Sequence, residues 1–386
     1  MKKIINIVCF CVMIYSFFTM YILKLDSKLN EIIQPGQNLQ TIISGIDNYY
    51  RTEDISRNSW IELYGLSQRI MGKEQIENFT IFKNDSGGLV ALNEKINTNE
   101  IEKDVDDILS LISYCNEKEI PAYYITSLLP VTDDTDLPIG AKDYSVYNAE
   151  KLMKELEKSD LSIINLRDLS IVQNTEKGML FYKTDHHWTL ETCFAAFQYI
   201  IESIEKELEW KIDEKYTTVD SYEKKIIQEC FLGSYGIKVG KYYAGKDDFV
   251  LYVPNYETKF KFESYENNQL KVSKTGDFVE ALMDIDILRD ENYNNKYNSF
   301  LNGQTIENRI VNCYAPNDRK VLLISHSYGR PLTQYLGLCF SEVRHIDPQS
   351  DRYTNSISEY INSYKPDLVL IMAEFEGEWI VDICMD

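Results

Sequence analysis

The pattern of apolar and polar positions changes character several times along the chain. Ile4 to Leu23 is a run of twenty residues without one charged side chain, and about twenty apolar residues make a helix long enough to span a bilayer. Lys2 and Lys3 precede it, and aromatic residues rather than small ones continue up to Lys24. An uncleaved anchor over residues 1–25 is therefore expected, with the lysines in the cytoplasm and the remainder of the chain facing outward. A polar stretch containing Gln34-Pro35-Gly36-Gln37 reads as a stalk over 26–45, ahead of one domain over 46–386. Ile42, Ile43, Ile46 and Tyr49 share one stripe of a helix, and Phe79 to Leu92, broken by Asn84-Asp85-Ser86-Gly87-Gly88, reads as a hairpin.

From about residue 100, helical and strand periods alternate. Helices are expected over 101–115, 149–156, 190–208, 332–340 and 356–362. Short apolar runs at 121–129, 161–166, 320–325, 343–346 and 367–372 read as buried strands. Such alternation predicts an α/β fold, a parallel sheet covered by helices on both faces. Residues 209–315 break the alternation; they are rich in Tyr, Asn, Lys and Asp, and the expectation is an irregular insertion that shapes a substrate groove.

Charge narrows the partners. The 386 residues carry a formal net charge of −21 and a sequence pI of about 4.7. Nucleic acid needs a basic footprint and is excluded, and an anionic lipid surface is a poor main partner. A neutral glycan or a small uncharged acyl donor fits. The cysteines show no CxxC spacing, so no zinc or redox motif is expected, and Cys115, Cys193 and Cys339 fall in apolar helical patterns as buried free thiols.

The candidate chemistry lies in two short segments. Three of the four histidines, His186, His187 and His326, fall in Asp185-His186-His187-Trp188-Thr189 and Ile324-Ser325-His326-Ser327-Tyr328-Gly329. Ser327 follows an apolar strand and precedes a helix, at the carboxyl edge where open α/β sheets place their sites. An Asp two residues before a His can fix the tautomer of His187, and His187 can take a proton from Ser327. Thr189 is the expected N-cap of the helix that follows. His186, His326, Tyr328 and Trp188 are secondary candidates, and His345 reads as structural. Asp185, His186 and His187 could begin a zinc set, but no partner motif completes one; no metal and no cofactor is expected.

Asp185-His186-His187-Trp188-Thr189 resembles the signature of the DHHW family, which is similar to the SGNH-like proteins that O-acetylate alginate and other bacterial exopolysaccharides. Val321 to Gly329 resembles the block that carries that family's nucleophile. Phe231 to Gly240, Asn302-Gly303, Arg309 to Asn312, Phe340 to Asp347 and Lys365 to Glu374 fit as well. The resemblance implies an SGNH-hydrolase-like parallel sheet flanked by helices. It also implies an acyl-serine mechanism with Ser327 as nucleophile, His187 as base and Asp185 as orienter, a polysaccharide acceptor, and a multi-pass membrane O-acyltransferase as acetyl donor. Two positions depart from the family pattern. His326 stands where Asp usually precedes the serine, and Gln349 where an Arg often follows Asp347; Arg330, Arg344 and Arg352 are near in sequence. The expected function is a membrane-anchored, extracytoplasmic O-acetyltransferase. A carbohydrate esterase with the same three residues, and a catalytically degenerate glycan-binding or scaffold protein, are the alternatives.

Overall fold

The computed structural model describes residue 15 and residues 38–52, 55–132, 136–169, 180–289, 294–303, 305–348, 353 and 356–373. All of the expected membrane anchor but Tyr15, and most of the stalk, lie outside them; among the described residues no helix is long and apolar enough to cross a membrane. The first described helix, α1 (Leu39–Thr52), begins inside the stretch expected to be stalk. It is followed by α2 (Ile55–Ile70) and a small antiparallel sheet of β1 (Gln75–Ile76), β2 (Ile81–Lys83) and β3 (Leu89–Val90), which includes the expected hairpin.

The main body then alternates. In order come α3 (Thr98–Glu117), β4 (Ala122–Thr126), α4 (Ser145–Leu156), β5 (Ile163–Ile164), α5 (Leu190–Leu208) and β6 (Tyr222–Phe231). Two short helices, α6 (Ser234–Val239) and α7 (Lys241–Ala244), lead to β7 (Asp247–Pro254), β8 (Phe260–Glu266) and β9 (Gln269–Gly276). After α8 (Phe278–Leu282) and α9 (Ile285–Arg289), the described residues continue with β10 (Glu307–Asn312), β11 (Lys320–Ser325), α10 (Gly329–Cys339), β12 (Glu342–Ile346), α11 (Ile357–Tyr364) and β13 (Leu368–Ala373).

One eight-stranded sheet organises all of this, in the order β5-β4-β13-β11-β12-β10-β8-β9. The first five strands are parallel to their neighbours, and β10, β8 and β9 extend the sheet antiparallel. β11 is central, and Val321 to Ser325 are buried without alternation. That is the signature of a strand covered on both faces. One face packs against α5 and α10 through residues such as Leu323, Phe197 and Leu336. The other packs against α3, α4 and α11 through residues such as Leu322, Ile108 and Ile361. Cys115, Cys193 and Cys339 are buried free thiols.

Two expectations are corrected. The sheet is mixed, not wholly parallel. Residues 209–315 are not an irregular insertion; they supply β6 to β10, and three of those strands belong to the main sheet. The reason is physical. Along β6 and β9 most side chains face solvent, so polar Lys, Glu and Gln fill positions that a two-sided strand would give to Val or Leu, and the apolar signal fades. If this region is integral to the core, Phe262→Ala should be expensive. Phe262 is fully buried on β8 opposite Ile310 of β10, and the expected loss is about 3–5 kcal/mol in a denaturant titration. A loss below about 1 kcal/mol would mean a loosely attached region.

Candidate active site

The segment 182–187 is a closed loop rather than an extended strand. Phe181 and Trp188 form an antiparallel bridge. The Tyr182 N–H donates to the His187 carbonyl at 3.1 Å and the Thr189 N–H to the Leu180 carbonyl at 2.9 Å. Asp247, at the start of β7, holds the loop's other limb. Its carboxylate accepts the Lys183 N–H at 3.0 Å, the Thr184 N–H at 2.9 Å and the Thr184 hydroxyl at 2.7 Å. The loop leads into α5, where the Thr189 hydroxyl accepts the Thr192 N–H at 3.3 Å as the N-cap. The opposing residue, Ser327, sits between β11 and α10 and is half-buried. Gly329 is required by close approach there, because a Cβ would fall 1.8 Å from Ser325 Oγ.

These two segments meet. His187 Nε2 lies 2.7 Å from Ser327 Oγ. On the other side of the ring, His187 Nδ1 bonds to Asp185 Oδ1. The His187 N–H also donates to Asp185 Oδ1, at 3.0 Å. The second oxygen, Asp185 Oδ2, accepts the Ser234 N–H and the Asn295 side-chain amide, the latter at 3.1 Å. Gly233 lets Asp185 sit against α6: a Cβ at 233 would lie 2.2 Å from the Asp185 Cβ. Tyr297, two residues beyond Asn295, lies flat on His187, with ring centroids 3.6 Å apart and planes 16° from parallel.

The secondary candidates surround this row. Adjacent side chains diverge in an extended segment, but in this bend the His186 ring lies beside the His187 ring, 3.9 Å between centroids. His186 Nδ1 is 2.8 Å from Ser234 Oγ. The Tyr328 hydroxyl donates to the His186 carbonyl, which ties the serine segment to the histidine loop. Trp188 is fully buried with its ring 5.5 Å from that of Tyr328. His326 is buried and accepts the Tyr328 N–H at its Nδ1, 3.2 Å away. His345 Nε2 is 2.9 Å from the Ser325 carbonyl oxygen inside the sheet. Of the three arginines, Arg330 is buried with its guanidinium 3.9 Å from the Asp347 carboxylate. Arg344 is held away, on Glu342 and over Tyr364, and Arg352 lies outside the described residues.

Electrostatics suit proton transfer. Burial alone would raise the Asp185 carboxyl, but the His187 and His186 rings and the Ser234 N–H hold it well below the ordinary carboxylate range. Burial, then His186, pushes His187 far below the usual imidazole value, against the pull of Asp185. His326 is pushed down as well, by burial and by the other rings. A neutral imidazole with Nδ1–H on a carboxylate and Nε2 facing a hydroxyl is an arrangement that can accept that hydroxyl's proton. Asp185, His186 and His187 also offer ligand atoms within 4.8 Å of one another, but both His187 nitrogens already face Asp185 and Ser327.

Asn295, Tyr297, Ser234 and Asp247 were not singled out as site residues in the sequence. The glycine-containing segment 231–240 was a signal for Ser234. Nothing in the spacing marked Asn295 or Tyr297, which stand in a run crowded with other Asn and Tyr.

A family profile described as DHHW protein matches residues 151–346, half of the chain. Among solved structures, Bacillus cereus PatB1 with a sulfonyl adduct is similar over 76% of this chain and 93% of its own, at 20% identity and a TM-score of 0.61. A DHHW family protein from Eubacterium siraeum covers 76% and 89%, at 15% identity and a TM-score of 0.53. The O-acetyltransferase domain of Pseudomonas putida AlgJ covers 76% and 89%, at 11% identity and a TM-score of 0.46. No curated protein matches the chain.

Burial holds the His187 imidazole below its ordinary range. A lowered value means that the neutral ring persists as pH falls below 6.5, where an exposed or unfolded histidine takes up a proton. In NMR of the folded protein, His187 should remain neutral from pH 7 down to pH 5. Protonation midway between those values would contradict the geometry described.

Proposed function

The chain belongs to the DHHW family, and on that premise we propose that it is an O-acyltransferase working through an acyl-serine intermediate. The acyl group is acetyl, and the acceptor is a cell-envelope or secreted polysaccharide outside the cytoplasm. The observation that carries this reading is the 2.7 Å approach of His187 Nε2 to Ser327 Oγ, with His187 Nδ1 bonded to Asp185.

Ser327 Oγ attacks the carbonyl carbon of the acyl donor while its proton passes to His187 Nε2. The imidazolium that forms is stabilised by the ionised Asp185 and lies on the Tyr297 ring face, an attractive arrangement for a cation. The developing oxyanion takes a hydrogen bond at the turn before α10, with the Ser327 N–H as the first candidate donor; the Tyr328, Gly329 and Arg330 N–H groups already donate to His326 Nδ1 and to the His326 and Ser327 carbonyls. The tetrahedral species collapses, the leaving group departs with the proton from His187, and the acyl group stays on Ser327. An acceptor hydroxyl then gives its proton to His187, attacks the acyl carbon and leaves as the ester, and the proton returns to Ser327 Oγ. The base is assigned to His187 and not to His326, because His187 Nε2 faces Ser327 Oγ at 2.7 Å while His326 Nδ1 accepts the Tyr328 N–H. The apolar run Ile4 to Leu23 supports a membrane-bound position, and a multi-pass membrane O-acyltransferase is the proposed acetyl source.

The test uses p-nitrophenyl acetate with and without an oligosaccharide acceptor. Ser327→Ala and His187→Ala should each lose about 10³-fold or more in kcat, because removing any member of such a unit removes most of its effect. Transfer of acetyl to the oligosaccharide supports the acyltransferase. Release of acetate with no transfer to any acceptor would point to the esterase instead. Background rates for all three proteins would favour a binding role.

A further inference from the structure

Helix α2 has its polarity turned inside out. A surface helix of a globular protein buries its apolar stripe and shows its polar face to water. Here Glu62, Gly65 and Gln68, spaced three apart, face inward. Glu62 and Gln68 are buried, and the Glu62 carboxylate accepts the N–H groups of Lys241 at 3.3 Å and Tyr242 at 3.2 Å. Gly65 rests directly on α6, where a Cβ would fall 2.1 Å from the Val239 carbonyl oxygen. The helix is seated by polar and backbone contacts.

The opposite face is apolar and open. Trp60, Leu63, Tyr64, Leu66, Ile70 and Met71 are all 36% to 77% exposed. At 3.6 residues per turn, positions 60, 63, 64, 67, 70 and 71 form one continuous stripe, and only Ser67 among them is polar. Phe79 extends the patch: it is 73% exposed, in a loop tied to the helix by the Glu77 N–H donating to the Tyr64 hydroxyl at 3.2 Å. No acidic side chain lies in the stripe itself; Arg57 borders it, whereas Arg69 turns to the seated side, where its guanidinium donates to the Tyr242 carbonyl at 3.1 Å. Exposed apolar area of this kind, gathered on one face, marks a surface that is covered in use.

We propose that this face of α2 lies in the headgroup region of a zwitterionic lipid bilayer, holding the catalytic domain against the membrane. The occupant follows from three observations. The uncharged run Ile4 to Leu23 is upstream on the same chain, and the fifteen residues 24–38 can separate it from α1 by no more than about 50 Å. The patch, with Phe79 beside the stripe, mixes Trp, Tyr and Phe with aliphatic residues, the composition of a membrane interface. The overall charge of −21 disfavours an anionic surface, so the contact is apolar rather than electrostatic. This inference does not depend on the acyl-serine chemistry; it rests on reading Ile4 to Leu23 as a span.

The full chain is placed in phosphatidylcholine nanodiscs, one chain per disc, made with plain lipids or with lipids brominated near the headgroup. Subtracting the emission of Trp60→Phe from that of wild type isolates Trp60. The expected result is loss of most Trp60 emission in brominated discs. The loss should disappear in Leu63→Glu/Ile70→Glu, which keeps the anchor and the p-nitrophenyl acetate activity of wild type. Equal Trp60 emission in plain and brominated discs overturns the proposal, as does failure of the chain to enter discs. Shielding that appears only in discs holding two chains also overturns it, in favour of self-association through α2.

Discussion

A buried carboxylate with four donors holds the site together. Asp185 is essentially inaccessible to water, and an isolated charge in such a place would cost several kcal/mol or be neutralised. It remains ionised because His187 Nδ1, the His187 N–H, the Ser234 N–H and the Asn295 amide all point at it. Those donors come from three separate stretches of chain. Each is therefore fixed relative to the others by the same charge, and His187 inherits an orientation accurate enough to reach Ser327. Gly233 is the steric side of the same constraint, since any side chain there would displace Asp185.

The sheet supplies the second coordinate. Parallel strands β4, β13, β11 and β12 end together at one edge, and Ser327 leaves β11 there, immediately before the start of α10. The Tyr328 hydroxyl on the His186 carbonyl pins this turn to the loop opposite. The antiparallel strands β10, β8 and β9 extend the sheet beyond β12, and the connection between β9 and β10 carries Asn295 and Tyr297 to the histidine. Residues 209–315 thus help to position His187, through Ser234 and Asn295 on Asp185 and Tyr297 on the ring.

How legible this was in the sequence depended on the kind of signal each residue leaves. β11 was plain because a strand buried on both faces has no alternation and reads as Val-Leu-Leu-Ile. α5 was plain because its N-cap Thr189 and its apolar stripe agree, and the observed helix runs from Leu190 to Leu208. β5 shrank to two residues because the edge position leaves little to bury. β8 to β10 escaped notice because half-exposed strands carry Lys and Glu on one face. Asn295 and Tyr297 left no trace, since their roles come from a three-dimensional approach and not from spacing. The proximity of His186 to His187 left no trace either, because it comes from the bend of the loop.

The central claim is that Ser327 carries an acyl group during turnover. The most direct measurement is acid-quench mass spectrometry of the full chain mixed with p-nitrophenyl acetate, followed by peptide mapping. The account predicts one acetyl group on the peptide containing Ser327, absent in Ser327→Ala and greatly slowed in its formation in His187→Ala. Turnover without any acetyl on Ser327, or acetyl found on another residue that survives Ser327→Ala, would contradict it.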